Sequence, residues 1–272
     1  LSTGTLDVNQ AISTVPTGTG TTVGGSVVLE SNGAITTAAA GTITTTGQAS
    51  AAGLGGVGGE VFIHHTNLTT TAGDITLGGT VTANGGSAAV GGTTGGSGGV
   101  VTLLNERGGI VVNAALSANG GAAGSGVQGN GGTVQLVSTG TAVASTITQG
   151  AAITATGATG GNLKVTASDD VTLQNTGNDV AKLAANITTA GKSFKYTDAN
   201  TLAIDQVAQA GSSAVVLGVP SGTAATQALM NGITTLGGSG GSVVVNTLST
   251  GTLDVNQAIS TVPTGTGTTV GG

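Results

Sequence analysis

The chain has 272 residues, 53 of them glycine, with 1% aromatic and 6% charged residues, no cysteine, no tryptophan and a formal charge of −6. Ordinary domains carry about 25% charged residues and about 7% glycine, so a conventional aromatic-rich core is excluded. An acidic chain whose only cations besides histidine are Arg107, Lys164, Lys182, Lys192 and Lys195 also lacks the clustered basic groups that nucleic acid requires.

The first predicted elements lie in the opening string LSTGTLDVNQAISTVPTGTGTTVGG, Leu1–Gly25, which returns letter for letter as Leu248–Gly272, 247 residues later. Between the two copies, glycine pairs repeatedly introduce a short apolar run. These are GGSVVLES (24–31), GGEVFIHH (58–65), GGVVTLLN (98–105), GGTVQLVS (131–138), GGNLKVTA (160–167) and GGSVVVNT (240–247). SSAVVLG (212–218) is the same phrase with serines in place of the glycines. Aligned on the pair, two positions are always Val, Leu or Ile: Val27/Leu29, Val61/Ile63, Val101/Leu103, Val134/Leu136, Leu163/Val165, Val215/Leu217 and Val243/Val245. The position between them is unconstrained: Val28, Phe62, Thr102, Gln135, Lys164, Val216 and Val244. That alternation predicts strands with one buried face.

Each phrase leads to a second short run, GAIT (33–36), GDITL (73–77), GGIVV (108–112), DVTL (170–173) and GTLDV (251–255). A third follows: GTITT (41–45), GTVTA (79–83), ALSA (115–118), AITA (152–155), GITT (232–235) and AIST (258–261). Glycine-rich excursions such as 84–99 and 119–132 then lead to the next pair. Glycines are expected at corners that need positive φ. Successive pairs lie 34, 40, 33, 29, 52, 28 and 31 residues apart, and the 52-residue gap reads as two units, with Phe194 and Tyr196 in buried slots.

This pattern predicts an all-β parallel β-helix, a β-solenoid with three short strands per turn and glycine-rich loops. Residues 1–272 read as one continuous segment of a tandem array: a 247-residue period plus a 25-residue overlap. Eight turns at roughly 4.8 Å give about 40 Å per period. The expected partner is a further copy of the chain, end to end, with lateral bundling through the glycine-rich loops and surface glycans as the other binding class. An isolated period is expected to be poorly soluble or to associate end to end. No apolar run approaches the roughly 18 residues that span a bilayer, so no membrane insertion is expected. The first residues carry no signal-peptide pattern and read as a mature or excised segment.

The phrases GTVTANGG, GGTVQLVS and NLKVTASDDVTLQNTGNDVAKL, with GKSFKYTDANTLAI, resemble the very large bacterial surface adhesins of the filamentous-haemagglutinin type. The resemblance covers most of the chain. It implies a right-handed parallel β-helix, export to the cell surface, and adhesive or fibre-forming roles. The secretion domain of that family has no counterpart in these residues.

Candidate chemistry is sparse. His64 and His65 occupy adjacent strand positions on opposite faces, so with Glu60 they do not build a metal site and read as surface and corner residues. The acidic doublet Asp169–Asp170 sits at a turn and lacks the second acid that sugar cleavage requires. No enzyme, metal or cofactor is expected. The varied stretch 162–211 offers a partner-binding patch with Lys192, Lys195 and Asp198 as exposed candidates. A hydroxyl column, Thr44, Thr82, Ser117, Thr154, Thr234 and Ser260, suggests the alternative of a glycan- or ice-binding module, although its second rank is incomplete.

Overall fold

A computed structural model describes residues 4–18, 20–51, 53–66, 72–89, 93–140, 144–208, 210–211, 229–237, 241–248 and 251–263. They begin with β1 (Leu6–Val8), β2 (Ile12–Ser13), β3 (Ser26–Ser31), β4 (Ile35–Thr37), β5 (Ile43–Thr44), β6 (Glu60–His65), β7 (Ile75–Leu77), β8 (Val81–Thr82) and β9 (Val100–Asn105). Then come β10 (Ile110–Val112), β11 (Leu116–Ser117), β12 (Thr133–Ser138), β13 (Ile147–Gln149), β14 (Ile153–Thr154), β15 (Asn162–Ala167) and β16 (Val171–Leu173). The remainder are β17 (Lys182–Ile187), β18 (Phe194–Asp198), β19 (Leu202–Ile204), β20 (Gln206–Val207), β21 (Met230–Asn231), β22 (Ile233–Gly237), β23 (Val243–Thr247), β24 (Leu253–Val255) and β25 (Ile259–Pro263). No helix occurs among the described residues, hence none long and apolar enough to cross a membrane.

The protein is all-β, and its three large sheets are parallel throughout, an arrangement consistent with a solenoid. The first runs β1-β4-β7-β10-β13-β16-β18-β23, the second β2-β5-β8-β11-β14, and the third β3-β6-β9-β12-β15-β17-β19-β24. From β1 to β15 the chain therefore visits the three sheets in strict rotation. The glycine-pair phrases stack in the third sheet in the register their alignment predicts, Val27 on Val61 on Val101 on Val134 on Leu163. Leu29, Ile63, Leu103, Leu136 and Val165 form the next column. With Ile35, Ile75, Ile110 and Ile147 of the first sheet and Ile43, Val81, Leu116 and Ile153 of the second, they enclose one continuous apolar core. Burying each such side chain contributes about 1.5–3 kcal/mol, so small residues suffice when every layer repeats the same fit.

A polar column closes one corner of that core. Ser31, His65, Asn105 and Ser138 are stacked and buried at the end of the long strands. Asn105 Nδ2 donates to Gly73 O at 2.9 Å and Gly109 O at 2.8 Å, while Oδ1 accepts from Arg107 N at 2.9 Å. The bend's carbonyls are thus satisfied from inside. Because Asn105 Oδ1 is the acceptor, the 2.8 Å contact with His65 makes Nδ1 the protonated ring nitrogen.

The rotation changes after β15. β16 lies in the first sheet and β17 in the third, with no described strand of the second sheet between them; the nearest continuation is a bridge from Thr154 to Asp179. Beyond β17 the third sheet divides. β19 pairs with Lys182–Leu183 and β22 with Ala185–Ile187 of the same strand, side by side. Three expectations shift accordingly. GGSVVVNT supplies β23, which stacks on β18 in the first sheet. GTLDV (251–255) and AIST (258–261) supply β24 and β25, which sit above β19 and β22. SSAVVLG (212–218) lies outside the described residues.

Over its middle strands, β6 to β17, the third sheet is covered on both faces rather than one. On its outward side Phe62, Thr102, Leu104, Gln135, Val137, Lys164 and Ala184 are all at most 1% exposed. The chain beyond β19 crosses this face: Ala210 donates to Gln135 Oε1 at 3.3 Å and accepts from its Nε2 at 2.8 Å. Gln135 thereby offers residue 210 the pairing that a strand neighbour would.

Candidate interaction surface

The glycine-rich excursions are hydrogen-bonded layers, not corners. Only Gly18, Gly160, Gly191, Gly211 and Gly232 have positive φ among the described residues, so most of the glycines are present for another reason. An outgoing segment (45–51, 83–89, 118–124) runs away from the core in each layer, and a return segment (53–59, 93–99, 127–132) comes back beside it. Along the stack Gly47 N donates to Asn84 O at 2.9 Å and Gly85 N to Asn119 O at 2.8 Å. Return segments do the same, Gly58 N to Ser97 O and Gly98 N to Asn130 O, both at 2.8 Å.

A second set of bonds stitches outgoing to return segments. Gly56 N donates to Gln48 O, Gly86 N to Gly56 O, Gly96 N to Gly86 O, Gly121 N to Gly96 O and Gly129 N to Gly121 O, at 2.7–3.0 Å. In LGGVGG (54–59) the direction recurs every third residue: 55 and 58 donate along the stack, 56 and 59 donate across it, and Leu54 and Val57 face solvent. A three-residue screw is the geometry of an extended polyproline-II-like segment, in contrast to the two-residue period of the strands. The inner positions have no room for a side chain. A Cβ on Gly96 would lie 1.8 Å from Gly56 O, and one on Gly129 1.9 Å from Gly96 O.

The result is a flat extension whose chemistry resides in its third positions. On the return side these place Val23, Leu54, Val57 and Val127, all exposed, among Thr94, Ser97 and Asn130. The signal was present in the sequence as the X-Gly-Gly triplets of 54–59 and 94–99, which the alternating pattern of the strands overshadows.

The structure does not gather Lys192, Lys195 and Asp198 into one patch. Lys192 Nζ is 2.7 Å from Asp169 Oδ1. Burial pushes the Asp169 carboxyl up, but the Lys192 ammonium and the Asp170 N–H together hold it below its usual value. Lys195 projects outward from β18 between Thr172 and Val244 and is half-buried. Asp198 is fully buried, which corrects its expected exposure. It accepts from Tyr196 Oη at 2.8 Å, Val180 N at 3.1 Å and Asn200 N at 2.9 Å. Burial pushes its carboxyl up despite these donors.

The histidines are likewise not surface residues. His65 faces the core and His64, on the opposite face, is 2% exposed with Nε2 3.6 Å from Glu106. No group of three metal-ligating side chains occurs among the described residues. Asp169 and Asp170 serve their turn: Asp170 N donates to Asp169 Oδ1 and Ser193 N to Asp170 Oδ1, both at 2.7 Å. The hydroxyl column forms in part. Ser13, Thr44, Thr82, Ser117 and Thr154 stack in the second sheet, whereas Thr234 and Ser260 stack on each other above β17. It is a single rank, since the preceding outward positions run Ala11, Thr42, Thr80, Ala115 and Ala152 along the stack. No protein-family model, curated protein or solved structure matches the chain.

Proposed function

We propose that the chain is a segment of a very long extracellular filament or surface adhesin, built as a right-handed parallel β-helix from tandem 247-residue periods, with three strands per turn over its first five layers. The observation that carries this reading is the unbroken stacking of equivalent residues from β3 to β15, combined with a glycine extension that repeats the same stacking outside the core. Parallel strands linked in rotation favour the right-handed path. The function is mechanical: layers are hydrogen-bonded to the next in the sheets and, up to β15, in the extension as well, so axial load is shared across the section there. Lateral contact between filaments runs through the exposed third positions of the extension. Resemblance to surface adhesins supports the extracellular placement.

The experiment is electron microscopy of chains carrying two and four consecutive periods. Eight strands in the first sheet at about 4.8 Å predict rods that lengthen by roughly 38 Å per added period. Lengths that do not grow with period number contradict the reading.

A further inference from the structure

The identical strings occupy different sheets. Residues 6–8 form β1 in the first sheet and 12–13 form β2 in the second, yet 253–255 form β24 and 259–263 form β25 above the divided third sheet. They also differ in cover. Val8 is 7% exposed, because β4 pairs with β1 and β5 with β2. Its counterpart Val255 is 55% exposed, with Leu253 at 38% and Ile259 at 41%. Among the described residues, β24 and β25 lack the pair of strands that residues 35–44 provide to their twins.

We infer that β23, β24 and β25 form the docking edge for β3, β4 and β5 of a second copy of this chain, entered by exchange, with that copy's own β1 and β2 displaced by β24 and β25 of the first. This rests on the tandem reading and adds a register to it. Pairing by identity places Leu253 under Ile35 and Ile259 under Ile43, as Leu6 and Ile12 are placed now. The aligned glycine-pair phrases place Val243 under Val27 and Val245 under Leu29. Inward positions 243, 245, 253 and 259 then meet apolar partners, while Val255 meets the buried Thr37, as Val8 does now. The hydroxyl column also continues, Thr234 and Ser260 leading to Thr44 and Thr82 of the next copy.

A consequence is that the faces permute at the seam. The first sheet continues as the third sheet of the next copy, while the two halves of the divided third sheet become its first and second. The division of β17 between β19 and β22 thus restores three faces where the rotation had lapsed. The exchange swaps identical contacts, so its net gain is the new β23–β3 pairing and the cover of Leu253, Val255 and Ile259.

The test uses the 272-residue chain, which contains no cysteine. Thr36→Cys and Asp254→Cys variants are mixed and mildly oxidised. In-register neighbours meet the Cα distance a disulfide needs, whereas residues two strands apart do not. The expected result is a disulfide-linked dimer from this mixture and none from Asp7→Cys with Asp254→Cys. On the unsubstituted chain, the free 25-residue peptide of residues 1–25 should reduce the assembled mass seen by light scattering at least twofold. Linkage only between positions 7 and 254 means stacking without exchange and overturns the inference, as does a monomer indifferent to the peptide. The filament reading is decided separately, by rod length in covalently continuous periods.

Discussion

Lys164 is the residue whose position says most about the covered face of the third sheet. It points outward from β15 between Gln135 of β12 and Ala184 of β17 and is buried. Removal from water pushes its ammonium down to about 8 from 10.5. Between those values the unfolded chain binds more protons at this site than the folded chain, so stability rises with pH there. The penalty is full below pH 8 and relieved as pH climbs toward 10.5. Relative to Lys164→Met, the native chain should gain about 1–2 kcal/mol in urea denaturation between pH 8 and pH 10. A difference that stays flat across that range contradicts the burial of the amine.

Glycine does its work here at the scale of the element. Gly96 and Ser97 are neighbours in one return segment, but a Cβ on Gly96 would meet Gly56 O at 1.8 Å, while the next position faces outward. Gly96→Ala should therefore cost more than about 3 kcal/mol or prevent folding, whereas Ser97→Ala should change stability by less than about 0.5 kcal/mol. Thermal melts of the two variants check this, and comparable losses would mean the extension is not packed. The same contrast explains what the sequence revealed. Period-two runs such as VVTLL predicted both strands and register, because a one-residue slip would turn Val101 and Leu103 out of the core. The extension was harder to read because glycine in X-Gly-Gly triplets carries no side chain whose burial could mark a face. Asp198 shows a related limit: charge suggests solvent, but the buried carboxyl accepts from three donors at a bend. The contact on Gln135 comes from Ala210, far along the chain, and no local pattern announces it.

At the scale of the whole molecule, three parallel sheets stack strand on strand, accompanied over their first layers by a glycine extension, and the 25-residue string of residues 1–25 recurs as residues 248–272. The fold stands on repetition: five equivalent long strands share one register, and the breaks after β15 are confined to the layers that lead into the repeated string. Equivalent strands perpendicular to a common axis must diffract as a set. The most direct measurement is X-ray fibre diffraction from oriented material made of consecutive periods. A strong meridional reflection near 4.8 Å is expected, with weaker orders of a spacing of roughly 38 Å. An oriented pattern without the 4.8 Å reflection on the meridian would contradict the stacked parallel architecture itself.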